Sequence, residues 1–336
     1  MSRNPPADLL HYRAPWWLPG GHAQTIWAAL ASVRHLGPAP RFVRERWDTP
    51  DGDFIDVDRT THATRADAPL LVLFHGLEGS SASQYAVAFA DFAAAQGMAY
   101  VVPHFRGCSG ELNRAPRAYH SGDFEEIHWI LNRFKAEQPE RDVLAAGVSM
   151  GGNALLRWAG EMGAAARQTV RAVAAVCSPL DLAAGGHAIG RGFNRLVYTR
   201  MFLATMVPKA LAKLAQHPGL FDGDALRRAR DLYAFDNLFT APLHGFKDTD
   251  DYWRRASAKP VLPQIRLPAL ALNALNDPFV PARSLPRAGA VGPDVTLWQP
   301  AHGGHVGFPS SLGPWGVPGH VRTMPEAVGH WLLAHR

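Results

Sequence analysis

Apolar and polar positions fall into alternating blocks along this chain, and the blocks have two characteristic lengths. Short runs made almost wholly of apolar residues predict strands that are buried on both faces, at 69–74, 99–102, 143–148, 170–176, 268–273 and 295–298. Longer stretches with apolar residues at helical spacing predict helices, over 84–96, over 124–136, from 153 onward and over 325–334. This alternation predicts an α/β fold, with a mostly parallel, twisted sheet that carries helices on both faces.

Two parts of the chain depart from this alternation. Residues 42–47 and 54–58 flank Pro50-Asp51-Gly52 and predict an antiparallel hairpin ahead of the first buried strand. Residues 182–258 are helical in pattern but irregular, and they separate two of the predicted strands. An insertion at this place predicts a helical cap over the carboxyl edge of the sheet, where it would form a pocket. Ordinary helices that cover the sheet are the alternative.

Composition and charge limit the class of protein. The chain has 336 residues, of which 47% are hydrophobic, and we expect a single domain over 1–336. Its two cysteines, Cys108 and Cys177, cannot build a disulfide framework, so a reducing, cytoplasmic location is expected. Residues 1–17 lack the apolar core of a signal peptide, and the absence of any apolar run of about 18 residues predicts no transmembrane segment. The net charge is +5, and the basic residues are scattered along the chain, a distribution that predicts no nucleic-acid binding.

A glycine-flanked serine is the most informative local pattern. Gly147-Val148-Ser149-Met150-Gly151 lies where a predicted strand gives way to a helix-like run. A strand that turns at once into a helix forces the serine into a strained bend, which lifts its hydroxyl above the sheet edge. Glycines are needed on both sides because a Cβ there would collide with the crossing backbone. The pattern predicts a nucleophilic serine, and a turn serine that caps the following helix is the alternative.

A nucleophilic serine needs a base that takes its proton and a carboxylate that orients the base. When such a serine follows a sheet strand in this way, the acid and then the histidine come later in the chain, each after a strand. Asp277 and His305 satisfy this order. Asp181 is the rival acid and His302 the rival base. Asp277 is favoured because its loop is nearer in sequence to the histidine loop, and His305 because two glycines precede it.

The same chemistry needs two backbone N–H donors for the oxyanion of its tetrahedral intermediate. The N–H of Met150 follows the serine directly, and that of Leu77 lies in the loop 75–79, just after the first buried strand. A glycine-rich strand-to-helix turn is the alternative interpretation of that loop. The loop lacks the G-x-G-x-x-G pattern of a dinucleotide site, which argues against nicotinamide binding. The predicted chemistry requires no metal and no organic cofactor.

With these residues, the chain resembles the YheT-like α/β-hydrolases, bacterial relatives of eukaryotic lipid-acting hydrolases. The resemblance covers nearly the whole chain and implies a triad of Ser149, Asp277 and His305 that hydrolyses carboxylic esters with short or medium acyl chains. The eukaryotic relatives carry an N-terminal membrane anchor, which this chain does not show. The motifs that carry the resemblance are Gly21-His22-Ala23-Gln24-Thr25, His75-Gly76-Leu77-Glu78-Gly79, Phe105-Arg106-Gly107-Cys108-Ser109-Gly110, Tyr119-His120-Ser121-Gly122, the glycine-flanked serine, Asn276-Asp277-Pro278 and Gly303-Gly304-His305-Val306-Gly307-Phe308.

The residues and the resemblance together predict a serine hydrolase that cleaves a small-molecule carboxylic ester, short- to medium-chain or lipid-like, through an acyl-enzyme. An acyltransferase or thioesterase that uses the same triad is one alternative. A non-catalytic lipid- or ligand-binding protein on the same fold is another.

Overall fold

Eight strands form one sheet in the computed structural model, which describes residues 8–311 and 319–336. The strand order is β1-β2-β4-β3-β5-β6-β7-β8. Strands β1 and β2 form the predicted hairpin, β2 is also antiparallel to β4, and all other neighbours are parallel. The prediction of a mostly parallel sheet is therefore confirmed. The strands are β1 Phe42–Asp48, β2 Phe54–Thr60, β3 Leu70–Phe74, β4 Ala99–Pro103, β5 Val143–Val148, β6 Ala172–Val176, β7 Ala269–Leu272 and β8 Val295–Trp298.

Helices cover both faces of this sheet because its central strands are apolar at every position. Alternate side chains of a strand point to opposite faces. Leu70 and Val72 therefore pack with α3 (Phe124–Glu137) and α4 (Met150–Met162). Leu71 and Leu73 pack with α2 (Gln84–Ala95) and α12 (Thr323–Ala334) on the other side. The helices outside the segment between β6 and β7 are α1 Gly20–Leu30, α2 Gln84–Ala95, α3 Phe124–Glu137, α4 Met150–Met162 and α12 Thr323–Ala334.

The segment between β6 and β7 is helical, as its pattern predicts. It packs through apolar clusters of its own, and these clusters reach Leu77 after β3 and Phe279 after β7. The carboxyl ends of parallel strands meet at one sheet edge, so this segment lies over that edge. Its helices are α5 Leu182–Ile189, α6 Gly192–Asn194, α7 Arg200–Gln216, α8 Gly223–Arg227, α9 Leu232–Phe235, α10 Ala241–Leu243 and α11 Thr249–Ala256, with π-helical turns at Arg195–Thr199 and Asp236–Thr240.

The predicted single domain and the cap role of residues 182–258 stay predictions. The range 1–336 includes residues 1–7 and 312–318, which lie outside the described residues. Within the described ranges, no helix is both long enough and apolar enough to cross a membrane.

Candidate active site

Ser149 occupies a one-residue turn between β5 and α4. Its φ is +52° and its ψ is −119°, a backbone conformation that L-residues rarely adopt. A Cβ on Gly147 would lie 2.5 Å from the carbonyl oxygen of Gly151, and a Cβ on Gly151 would lie 2.4 Å from that of His75. The flanking glycines are therefore required by the close approach of the backbone. The strain at Ser149 is held in place by packing on both sides.

Helix α4 begins at Met150, three residues earlier than the sequence pattern predicts. Because Ser149 makes the whole chain reversal, the helix can start at the next residue. The carbonyl oxygen of Ser149 accepts hydrogen bonds from the N–H groups of Gly152 (3.1 Å) and Asn153 (3.2 Å). The serine therefore stands at the N-terminus of a helix, where the backbone dipole favours negative charge.

The structure brings Ser149, His305 and Asp277 together in one hydrogen-bonded chain. The distance from Ser149 Oγ to His305 Nε2 is 3.0 Å, and that from His305 Nδ1 to Asp277 Oδ2 is 2.8 Å. The carboxylate is an acceptor, so Nδ1 carries the proton and donates it. Nε2 is then left with a lone pair that faces the serine hydroxyl. This arrangement can remove the hydroxyl proton during attack.

Backbone N–H groups hold the carboxylate of Asp277 in its orientation. Its Oδ1 accepts from Phe279 (2.7 Å) and from Val280 (3.3 Å), while Oδ2 is left for the histidine. The Asp277 side chain is fully buried and that of His305 is 10% exposed. A buried carboxylate with each oxygen hydrogen-bonded is a fixed acceptor in a region of low dielectric constant.

The two rivals raised by the sequence lie elsewhere. The Asp181 carboxylate caps α5 by accepting from the N–H of Ala184 at 3.1 Å, and its other oxygen lies 3.4 Å from Lys259 Nζ. His302 is exposed on the surface. Both residues therefore have ordinary structural positions outside the hydrogen-bonded chain of Ser149.

Two polar residues to which the sequence analysis assigns no role hold the loops of Asp277 and His305. Thr25 Oγ1 accepts from the N–H of His305 at 2.8 Å. Gln24 Oε1 accepts from the N–H of Gly303 at 2.9 Å and from Asn276 Nδ2 at 3.0 Å, which ties the acid loop to the histidine loop. The signals in the sequence are their place in a motif that carries the resemblance, Gly21-His22-Ala23-Gln24-Thr25, and their polarity inside a mostly apolar helix.

The loop after β3 is pinned on both sides of Leu77. The N–H of Gly76 donates to Tyr85 Oη at 2.9 Å, and the N–H of Glu78 donates to Tyr119 Oη at 3.2 Å. In the described parts of the chain, neither the N–H of Leu77 nor that of Met150 has a protein acceptor, and both residues line the cavity beside Ser149. Two free N–H groups at this place are what an oxyanion would require.

His75 anchors the base of the same loop and is fully buried. Its Nε2 accepts from the N–H of Phe105 at 3.0 Å, so its Nδ1 carries the proton and donates to the carbonyl oxygen of Gly76 at 2.8 Å. Burial lowers the pKa of His75 to about 3, because a charged imidazolium would lose its hydration. A neutral ring with both nitrogens engaged has a structural role.

Two hollows meet at Ser149 and His305. An inner cavity of about 130 Å³ is walled mainly by apolar side chains, among them Leu182, Phe202 and Trp253. An open cleft of about 430 Å³ leads from the same two residues to the surface between α1 and the start of α7. The site therefore has one smaller apolar compartment and one larger cleft that reaches the surface.

Among the residues that the structure describes, Asp236 supplies the one carboxyl group that lines the inner cavity. Its oxygens accept from Thr240 Oγ1 at 2.7 Å and from Trp253 Nε1 at 2.9 Å. Burial raises the pKa of this carboxyl to about 6, and the two hydrogen bonds oppose the shift without cancelling it. The wall of the cavity therefore gains a negative charge as the pH rises through this value.

Cys177, Asp277 and His305 place one donor atom each within 4.8 Å of one another, which is close enough to share a metal ion. Each donor already has a protein partner. The Cys177 sulfur accepts from the N–H of Val306 at 3.2 Å, and burial raises the pKa of this thiol well above its ordinary value. A thiol that stays protonated is a poor metal ligand, so these residues fit hydrogen bonding better than metal binding.

The geometry of this site and the topology of its sheet agree with the protein family whose model the sequence matches. A family model described as the α/β-hydrolase fold matches residues 69–311. The chain belongs to the α/β-hydrolase family. The match begins at the start of β3 and ends just beyond the His305 loop, so it includes every residue of the serine–histidine–aspartate chain.

Relatives of this α/β-hydrolase carry hydrolase names. The chain is 39% identical over 267 residues to Putative esterase YheT of Escherichia coli strain K12, which covers 79% of this chain and 78% of that protein. It is 28% identical over 309 residues to Phospholipase ABHD3 of Homo sapiens, which covers 89% of this chain and 73% of the relative. These similarities support hydrolase activity and confirm the resemblance to the YheT-like group.

A solved structure supports the same fold. The Pyrococcus furiosus esterase Pf2001 aligns with a TM-score of 0.55 and 15% sequence identity, over 88% of this chain and 93% of the esterase. At this identity the likeness concerns the fold alone.

Proposed function

We propose that this α/β-hydrolase cleaves carboxylic esters through an acyl-enzyme on Ser149. The observation that carries the proposal is the hydrogen-bonded chain from Ser149 Oγ through His305 to Asp277, with distances of 3.0 and 2.8 Å. Such a chain activates a serine only when all three groups are aligned, as they are here.

The proposed reaction has two halves. The Oγ of Ser149 attacks the ester carbonyl carbon while His305 Nε2 takes the hydroxyl proton, and the N–H groups of Leu77 and Met150 donate to the oxyanion. The intermediate collapses, and the alcohol leaves with the proton from His305. Water then attacks the acyl carbonyl and gives a proton to His305, which returns it to Ser149 as the acid departs.

Asp277 would hold the imidazolium that forms in each half, and the described site needs no metal ion for any of these steps. Residues 182–258 would act as the cap that encloses the acyl group. The inner cavity of about 130 Å³ has apolar walls and suits a short to medium acyl chain. The esterase and phospholipase names of the relatives support an ester substrate of small-molecule or lipid type.

The test uses Ser149→Ala with Ser32→Ala as a matched control. Ser32 lies just beyond α1, where its hydroxyl donates to the carbonyl oxygen of Ala28 in that helix, and it takes no part in the site. We expect Ser149→Ala to lower turnover of p-nitrophenyl butyrate by about 10⁴–10⁶ and to abolish labelling by a fluorophosphonate. Ser32→Ala should keep both activities. Labelling of Ser149→Ala at the wild-type rate would refute the proposal, and a purely binding protein would leave the wild type unlabelled.

A further inference from the structure

Exposed apolar side chains gather at the mouth of the cleft that leads to Ser149. Leu30 of α1 is 79% exposed, and Val197 and Met201, at the start of the long helical stretch around α7, are 38% and 56% exposed. All three line the cleft. Phe193 and Leu196 belong to the same stretch and are 50% and 59% exposed. Contiguous apolar surface of this kind marks a binding surface in a folded protein.

These residues form one surface rather than two separate patches, because α1 and the stretch around α6 are in contact. The ring of His22 lies 4.7 Å from that of Phe193, and His22 Nδ1 lies 3.1 Å from Tyr198 Oη. We call Leu30, Phe193, Leu196, Val197 and Met201 the cleft rim.

The two stretches of sequence that carry the cleft rim contain positive charge without negative charge. Residues 9–44 and 182–221 contain no Asp and no Glu, although the second range holds three arginines and two lysines. Arg191, Arg195 and Arg200 are all exposed. In the described chain, none of these three guanidinium groups has a carboxylate partner within ion-pair distance.

We propose that the cleft rim docks on the surface of an anionic lipid bilayer. Apolar side chains enter the boundary between headgroups and acyl chains, and neighbouring arginines attract anionic headgroups from a few ångströms away. The cleft rim and the arginines beside it combine both features with an open path to Ser149 and His305. A docked molecule would take an ester lipid from the bilayer directly into the cleft.

The experiment measures co-sedimentation with vesicles, using Ser149→Ala as the background so that lipid is not consumed. The vesicles contain phosphatidylcholine alone or phosphatidylcholine with phosphatidylglycerol, at low and at high salt. We expect binding to the anionic vesicles at low salt, and its loss at high salt or without phosphatidylglycerol.

Two variants, Leu196→Gln in the cleft rim and Arg195→Glu beside it, are called the rim variants, and together with two matched controls they assign the binding to this surface. Arg195→Glu should weaken partitioning about 30-fold, since each charge near the surface contributes about fivefold. Leu196→Gln should weaken it about 10-fold through lost apolar burial. Arg171→Glu, at the amino end of β6, and Val43→Gln, on the edge strand β1, change an exposed arginine and an exposed apolar residue away from the cleft. They should stay within about twofold of the parent.

The proposal is overturned if the parent protein ignores anionic vesicles, if both rim variants partition like the parent, or if salt and phosphatidylglycerol have no effect. Light scattering tests the other possible occupant of the cleft rim, which is a second copy of this chain. If the protein is a dimer that Leu196→Gln dissociates, and if it does not bind vesicles, the cleft rim is a contact between copies. Hydrolysis of p-nitrophenyl butyrate by Arg195→Glu and Leu196→Gln with Ser149 restored should match the wild type. This readout separates a failure of docking from a failure of the proposed esterase.

Discussion

Replacing Asp277 with asparagine tests the proposed triad without changing its shape. In the structure, one oxygen of Asp277 accepts from the N–H groups of Phe279 and Val280, and the other accepts from His305 Nδ1. The asparagine carbonyl oxygen can keep the two backbone bonds. Its NH₂ group must then face His305, where an acceptor stood before.

That exchange reverses the direction of one hydrogen bond. An NH₂ donor beside Nδ1 favours the tautomer in which Nδ1 is bare and Nε2 carries the proton. Nε2 then cannot take the proton of Ser149, although its distance to the serine oxygen is unchanged. A wrong tautomer in a triad of preserved geometry lowers kcat by about 10⁴, which corresponds to about 5 kcal/mol in the activation free energy.

The assay compares kcat/KM for p-nitrophenyl butyrate between wild type, Asp277→Asn and Asp181→Asn. Asp181 is the matched control because it is the rival acid of the sequence, and the structure places it at the start of α5 with Lys259. We expect Asp181→Asn to retain activity within about threefold, since a cap loss costs about 1 kcal/mol of stability and leaves the site intact. The thermal unfolding midpoint of each variant checks that the fold is kept.

Two results would refute the reasoning. Asp277→Asn with more than about a tenth of wild-type kcat/KM would show that the carboxylate does not set the tautomer. A loss in Asp181→Asn equal to that in Asp277→Asn would transfer the role to the rival acid.

Two further predictions concern residues beside the triad. Thr25→Val removes the acceptor of the His305 N–H at nearly constant side-chain volume, so kcat/KM should fall about 10-fold. Thr25→Ser keeps the hydroxyl and should restore kcat/KM. Equal activity of the wild type and both variants would show that Thr25 does not position His305. Asp236→Asn tests the buried carboxyl whose pKa in the folded state is raised to about 6 from its ordinary value of 3.8. Because the folded state binds this proton more tightly than the unfolded state, wild-type stability falls as the pH rises through that interval. The unfolding midpoint of Asp236→Asn relative to wild type should therefore increase between about pH 4 and pH 8, and a difference independent of pH would contradict the raised pKa.

The sequence predicts the sheet well because each buried strand has a recognisable pattern within its own few residues. Runs such as 69–74 and 143–148 are apolar at every position, which a strand covered on both faces needs, and they are too short for a buried helix. The serine turn is equally local, since the glycines that its crossing backbone requires stand within two residues of Ser149. The order of serine, acid and histidine follows from the same strand positions.

The positioning contacts are not local, and the sequence pattern does not contain them. Gln24 and Gly303 are 279 residues apart, and their hydrogen bond exists only because α1 is docked against both loops. The sequence pattern also predicts the wrong start for α4. Apolar residues at helical spacing begin only after the glycines, although the backbone is helical from Met150.

By itself, the sequence determined the sheet, the helical segment between β6 and β7, and a serine in a strained turn, because spacing and residue size within a few positions control these features. The sequence favoured Asp277 over Asp181 and His305 over His302, but only the tertiary structure shows which acid and which histidine are hydrogen-bonded in one chain with Ser149. Both acids and both histidines follow strands, and a hydrogen bond of 2.8 or 3.0 Å depends on how loops from distant parts of the chain pack together. Tertiary packing likewise joined α1 to the stretch around α6, and so placed the exposed apolar residues and arginines at the entrance of the cleft.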